Sequence, residues 1–130
     1  MTADLALVIL AVPDLPASRA FYDRAFGWTA TVETPVYVEY TLASGMRVGI
    51  YEREGFGRNT GAVPEAIPHG ALAPVELYVA VDDVGAALER VLAAGGRLLD
   101  PAAERDWGDV VAYAADPDGT VLALARLGAA

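Results

Sequence analysis

Two stretches of the chain carry the same pattern of apolar positions. Val8-Ile9-Leu10-Ala11-Val12 is a continuous apolar run closed by Pro13-Asp14-Leu15, and Leu77-Tyr78-Val79-Ala80-Val81 is closed by Asp82-Asp83-Val84. Short apolar runs bounded by turn residues predict buried strands. Asp14 and Asp83 lie 69 positions apart, and so do Gly27 and Gly96. Two landmarks at one spacing mark an internal duplication. Between the landmarks the period lengthens to that of a helix. Ala17, Ala20, Phe21 and Ala25 line one face of a helix over 16–26, with Pro16 in its first turn. Val84, Ala87, Leu88, Val91 and Leu92 do the same over 84–94, before Gly95-Gly96 supplies a left-handed stop.

After each helix the pattern returns to strand. The first half predicts strands at 29–33, 36–42 and 46–52, the last two joined by a hairpin at Ser44-Gly45. The second half predicts strands at 97–99, 110–115 and 120–126, with Asp116-Pro117-Asp118-Gly119 as the final turn. Residues 54–73 are broken by glycine and proline and show no period. The expected organisation is one domain over 1–130: a βαβββ unit at 1–53, a linker at 54–73 and a second βαβββ unit at 74–130. The fold class is α+β.

Composition narrows the function. With 130 residues and 55% hydrophobic content the chain can bury a core of its own. The apolar run Leu5–Pro13 is far shorter than the roughly 20 residues of a membrane-spanning helix, and no signal peptide is expected. There is no cysteine, which removes thiol nucleophiles, disulfides and cysteine-bound metals and suits a reducing cytoplasm. A net charge of −9 argues against nucleic acid as a partner and suits a cationic ligand, although solubility alone explains it too. His69 is the single histidine, on the linker, and makes neither a metal site nor a triad by itself. Gly55, Gly57 and Gly61 are read as linker glycines that do not follow a strand and open a helix, so no phosphate loop is expected.

Asp14-Leu15-Pro16-Ala17-Ser18-Arg19-Ala20-Phe21-Tyr22, Phe26-Gly27-Trp28 and Asp116-Pro117-Asp118-Gly119, set in two such units, resemble the vicinal oxygen chelate superfamily. That superfamily holds glyoxalase I, extradiol dioxygenases, fosfomycin-modifying enzymes and bleomycin-binding resistance proteins. The resemblance covers nearly the whole chain outside the linker. It implies an eight-stranded, open barrel-like mixed sheet around a cavity, with the helices outside and a homodimer as the assembly. In the enzymes of that superfamily four side chains hold one divalent metal. Carried across, those positions are Leu7, Ile50, Glu76 and Ala123. Three are hydrocarbon, and one carboxylate cannot hold a hard cation against water. No metal and no other cofactor are therefore expected.

Residues two apart on a strand share a face. If those four positions face the cavity, Ile9, Val48, Glu52 and Tyr78 join them, with Leu5, Val121 and Ala125. The expected ligand-binding set is thus Leu7, Ile9, Val48, Ile50, Glu52, Glu76, Tyr78, Trp107 and Ala123: apolar walls with a few polar anchors. Glu76 is the main candidate, either as an anchor for a ligand cation or, in an enzyme, as the catalytic base. The alternative for Glu76 is a salt bridge to Arg47, Arg53 or Arg126, or a wetted position at the cavity mouth. Glu39 is a weaker candidate on a strand where exposure is the default. Trp107, before Gly108, is read either as a stacking face for a planar ligand or as a plug. Tyr22 is read as core. The expected function is metal-free binding of a small organic, antibiotic-like molecule. The alternative is an enzyme of the same superfamily: a metal-free isomerase or epimerase, or a metal-dependent lyase or dioxygenase.

Overall fold

The computed structural model describes residues 2–128. The elements run β1 (Val8–Val12), α1 (Leu15–Phe26), β2 (Thr29–Glu33), β3 (Tyr37–Thr41), β4 (Arg47–Glu52), α2 (Arg53–Thr60), β5 (Glu76–Ala80), α3 (Val84–Ala93), β6 (Arg97–Glu104), β7 (Val110–Ala115) and β8 (Val121–Arg126). The strands form two four-stranded mixed sheets, ordered β1-β4-β3-β2 and β5-β8-β7-β6. In each, the outer first strand runs parallel to the fourth and the others are antiparallel. The βαβββ repetition and the α+β class expected from the apolar pattern are both present.

Packing divides the chain into one unit of Met1–Arg19 with Gly27–Ala66 and another of Ala20–Phe26 with Ile67–Ala130. In the first unit one face of the sheet is core: Leu10, Val12, Val38, Tyr40, Val48 and Ile50 are buried. The Trp28 ring meets Tyr40 edge-on at 5.9 Å, and the Tyr40 hydroxyl donates to the Arg19 carbonyl at 3.4 Å. In the second unit α3 packs on β6, β7 and β8, burying Val84, Ala87 and Val91. Leu122 and Leu124, with Ala112 and Ala114 paired beside them, are wholly buried on one face of that sheet.

Two elements depart from the sequence reading. Residues 54–60, read as unstructured linker, form α2 together with Arg53. Helix propensity argued against it because of Gly55 and Gly57, yet both glycines are buried contacts. A Cβ at Gly55 would lie 2.6 Å from Tyr51 Cε1, and one at Gly57 would lie 2.9 Å from Val63 Cα. Gly55 and Gly57 thus do follow a strand and sit in a helix, and close packing rather than phosphate accounts for them. Gly61, at φ 89°, ends the helix in the left-handed conformation. The other departure is β6, which runs eight residues instead of three and shifts register twice around Asp100. Pro101 is tolerated there because β6 is an edge strand.

Candidate functional site

The longer β6 changes the spacing of the duplication. Ile9 pairs with Gly49, and Tyr78 pairs with Ala123. The first strands keep the 69-residue spacing, but the last strands are 74 apart, so Gly49 and not Ile50 corresponds to Ala123. A one-residue slip turns a side chain to the other face of a sheet. Val48, Ile50 and Glu52 therefore lie opposite Val8, Leu10 and Val12, on the face away from Ile9. The first sheet does not bring Leu7 and Ile9 together with Val48, Ile50 and Glu52. Val48 and Ile50 are core, and Glu52 is the N-cap of α2, accepting from the Glu54 and Gly55 amides at 3.0 and 2.9 Å. Those two bonds hold its carboxyl below the ordinary carboxylate value.

The other face of the first sheet carries Ile9 on β1, Gly49 and Tyr51 on β4, and Tyr37 and Glu39 on β3. Leu7, half-buried, precedes β1. Glu39 is buried at 8% exposure, and Arg47 reaches it at 3.4 Å. The Tyr37 hydroxyl donates to the other Glu39 oxygen at 2.6 Å. Burial, and then the Glu39 carboxylate, push the Tyr37 phenol above its ordinary range, so it stays protonated. The exposure expected for Glu39 is thus overturned. The pairing that Glu39 finds with Tyr37 and Arg47 is what allows a central strand position to bury a carboxylate. Tyr37 also packs on Tyr51, ring centres 5.0 Å apart, and its ring lies over the backbone of Gly49.

The second sheet does align its predicted residues. Glu76, Tyr78, Val121, Ala123 and Ala125 share one face, with Tyr113 opposite Ala123. Glu76 is exposed, and none of the three arginines proposed for it forms an ion pair with it among the described residues. Ala123 is fully buried between its strand neighbours Tyr78 and Tyr113, so tyrosine rather than alanine is the surface on offer. The Arg105 guanidinium lies 5.1 Å over the Tyr113 ring and is fixed by Asp100 at 3.0 Å and by the Val111 carbonyl at 2.8 Å.

Trp107 is 58% exposed, yet it is not loose. Its Nε1 donates to the Tyr78 hydroxyl at 2.8 Å, and that hydroxyl donates to Asp109 at 2.6 Å. Asp109 is in turn fixed by the Gly128 amide at 2.8 Å. The Tyr78 bond first, then the Gly128 amide, hold the Asp109 carboxyl below its ordinary value, while loss of solvent and the bond to Asp109 raise the Tyr78 phenol. Asp109, Tyr113 and Arg105 were not named from sequence. The strand alternation through Val111, Tyr113 and Ala115 carried the signal for Tyr113. Nothing local marked Arg105, because its role comes from the irregular pairing of β6. Among the described residues no three of His, Asp and Glu gather as a metal-holding group. A separate depression of about 330 Å³ is lined by Ala80, Val81, Asp82, Arg126 and Leu127, none of them in the predicted set.

Comparison with known proteins agrees with this fold. The chain is 28% identical to a glyoxalase-related enzyme from Fulvimarina pelagi, with a TM-score of 0.85 over 97% of this chain and 89% of that one. A glyoxalase/bleomycin resistance protein/dioxygenase family enzyme from Burkholderia phytofirmans has a TM-score of 0.78 at 20% identity, over 95% of this chain and 98% of that one. The anthracycline biosynthesis protein DnrV of Streptomyces peucetius is 36% identical over 127 residues, which cover 92% of this chain and 45% of DnrV. The chain thus spans about half the length of this relative. The family model of the Glyoxalase/Bleomycin resistance protein/Dioxygenase superfamily matches residues 4–124, and the chain belongs to that superfamily.

Proposed function

We propose that the chain binds a planar, cationic organic molecule, without a metal, at the edge of its second sheet beside Trp107, Tyr78 and Glu76. The observation that carries this reading is the fixed, exposed Trp107. An indole held by Tyr78 and Asp109 with more than half its surface in water gives a stacking platform whose order is already established before a ligand arrives. Glu76 shares the face of Tyr78 two residues away, about 6.6 Å along the strand, and supplies the counter-charge for an amine. The net charge of −9 adds long-range attraction for cations. DnrV is named for anthracycline biosynthesis. The metal-free reading rests on donor chemistry. With the register corrected, the resemblance assigns Leu7, Gly49, Glu76 and Ala123 to the metal, and a single carboxylate among them does not fit a divalent cation.

Doxorubicin is the probe, read by titration calorimetry. Trp107→Ala is expected to weaken its binding about tenfold or more, the scale of a lost stacking face. Glu76→Gln is expected to weaken it less and to flatten its salt dependence. Unchanged affinity in Trp107→Ala would sink the reading. Because the Asp109 carboxyl is held low, the Trp107 anchor should stay intact as pH falls to about 4 and fail only below it, as the carboxylate takes up its proton. Near-ultraviolet circular dichroism of the indole across pH 3 to 7, a range chosen around the ordinary carboxylate value, tests that. A change centred at about pH 6 would contradict it.

An enzyme is the second reading, favoured by the unpaired Glu76 carboxylate beside an aromatic surface. Turnover abolished by Glu76→Gln with binding retained would establish it. A cytoplasmic homodimer stays part of the proposal, supported by the lack of cysteine and by the outer strands β1 and β5, each unpaired on one side within its own sheet.

A further inference from the structure

The two units close the ends of their parallel strands differently. In the first, β4 runs straight into α2, which packs back on β4 and β1. Glu52, level with Val12 at the end of that pair, caps the helix. In the second unit the matching position is Arg126. Ala80 pairs with Ala125, and the next amide, that of Val81, donates to the Ala125 carbonyl at 2.8 Å. From there β8 passes into Leu127 and Gly128, with no helix among the described residues. The carboxyl ends of β5 and β8 are left as the open depression of about 330 Å³ between Ala80, Val81, Asp82, Arg126 and Leu127. That volume lies at the small end of ligand pockets. The crevice outside the carboxyl ends of parallel strands is also where open α/β sheets hold their ligands.

The charges on its wall are opposite and unpaired. The Asp82 and Arg126 side chains are exposed and take part in no hydrogen bond or ion pair among the described residues, with each other included. Arg97 and Arg105 of the same unit are both tied, to the Gly70 carbonyl at 3.2 Å and to Asp100 at 3.0 Å. A simple anion is opposed here by Asp82 and by the net charge of −9, and a simple cation is opposed by Arg126. A ligand with both charges meets a partner for each, and the acidic chain does not repel it. Neighbouring strands lie about 4.8 Å apart, so the two charges of that ligand must be close together. Val81 is half-buried and Leu127 is exposed, and with Ala80 they leave an apolar wall beside the charged pair.

We propose that this depression is a binding site for free α-amino acids with an apolar side chain. The carboxylate pairs with the Arg126 guanidinium, which offers a two-pronged contact. The ammonium pairs with Asp82, and the side chain lies against Val81 and Leu127. None of Trp107, Tyr78 or Glu76 lines the depression, so this site is additional to the one proposed above.

The probe is L-leucine, followed by amide chemical shifts, with isoamylamine as its cation-only counterpart and isocaproate as its anion-only counterpart. Leucine is expected to bind in the millimolar range and to shift the amides of Ala80, Val81, Asp82, Arg126 and Leu127. Each single-charge analogue is expected to bind about tenfold more weakly. Arg126→Gln should remove the advantage of leucine over isoamylamine, and Asp82→Asn its advantage over isocaproate. Arg126→Lys, which keeps the charge and loses the fork, should retain part of the first advantage. Three results would each overturn the proposal. They are no shifts up to about 10 mM, a single-charge analogue that matches leucine on the wild type, or shifts that leave the residues of the depression unmoved. Each advantage is a ratio measured within one variant, which a loss of stability does not alter. Doxorubicin is read through Trp107 and leucine through Arg126 and Asp82, so the failure of either leaves the other standing.

Discussion

Exchanging Asp116 for alanine is expected to lower stability by about 3 kcal/mol, the scale of several buried polar groups losing their partner. The carboxylate is buried at 5% exposure and serves three donors at once. Its Oδ2 accepts from the Tyr22 hydroxyl at 2.6 Å, and its Oδ1 accepts from the Asp118 and Thr120 amides, both at 2.9 Å. Alanine removes the acceptor that all three share. In melting temperature the loss should be about 10 °C for a chain of this length. The Asp116→Asn variant keeps the Oδ1 acceptor for the turn, and its cost should stay within about 1 kcal/mol. The two variants also separate in their pH dependence. Burial raises the Asp116 carboxyl above its ordinary value of 3.8, against the bonds from Tyr22 and Thr120. A raised acid favours the folded state when protonated. Its contribution is therefore greatest below the unfolded value and declines as pH rises through the folded one. Urea melts of Asp116→Asn and wild type should accordingly favour wild type more at pH 4 than at pH 7, the ordinary carboxylate value lying at the lower end. An alanine variant within about 1 kcal/mol of wild type would refute the account.

Gly49→Ala is the second large effect expected. A Cβ there would lie 2.7 and 2.8 Å from Cε1 and Cζ of Tyr37, and closer still to its hydroxyl. The backbone of β4 cannot retreat from a central strand, so the tyrosine must swing away and release Glu39. Freeing a buried carboxylate from its donor should destabilise the fold by about 2 kcal/mol. The decisive comparison is a double-mutant cycle. In a Tyr37→Ala background the obstacle is gone, and Gly49→Ala should become neutral or slightly stabilising, since alanine outperforms glycine inside a strand by about 0.5 kcal/mol. Equal costs in both backgrounds would mean that the obstacle is not Tyr37.

These two sites differ in how far the sequence exposed them. Asp116 sits in the Asp-Pro-Asp-Gly turn, whose residue types announce the backbone they adopt, and the turn was readable at once. Tyr22 was readable as core only through the resemblance, which places it on the family's helix. Gly49 was not, because its reason is a tyrosine twelve positions earlier on a neighbouring strand. The same holds for Glu39. Alternation along Tyr37-Val38-Glu39-Tyr40 offers one face to water, and the Tyr37 hydroxyl together with the cross-strand arrival of Arg47 makes the opposite result possible. Register was the weakest link. Landmarks in the first part of each repeat fixed a spacing of 69, but the bulged, longer β6 lies downstream of them and moved the last strand by five more positions. Glu76, Tyr78 and Ala123 share one face, as strand alternation implies. Ile50, taken from the resemblance alone, lies one register position from Gly49, the residue opposite Ile9.

The division of α1 between two compact units has a kinetic consequence. Residues 20–26 belong with the second unit, and Tyr22 meets Asp116 across 94 positions of chain. The two compact units therefore do not coincide with the repeats that the sequence displays. A ribosome that has released the first βαβββ repeat has not yet released the partner that Tyr22 requires. Closing so long a loop is entropically slow to reward, and proteins rich in such distant contacts fold slowly. The second unit should thus gain its protected amides after the first, in a refolding step whose rate Asp116→Asn alters little and whose reversal Asp116→Ala accelerates.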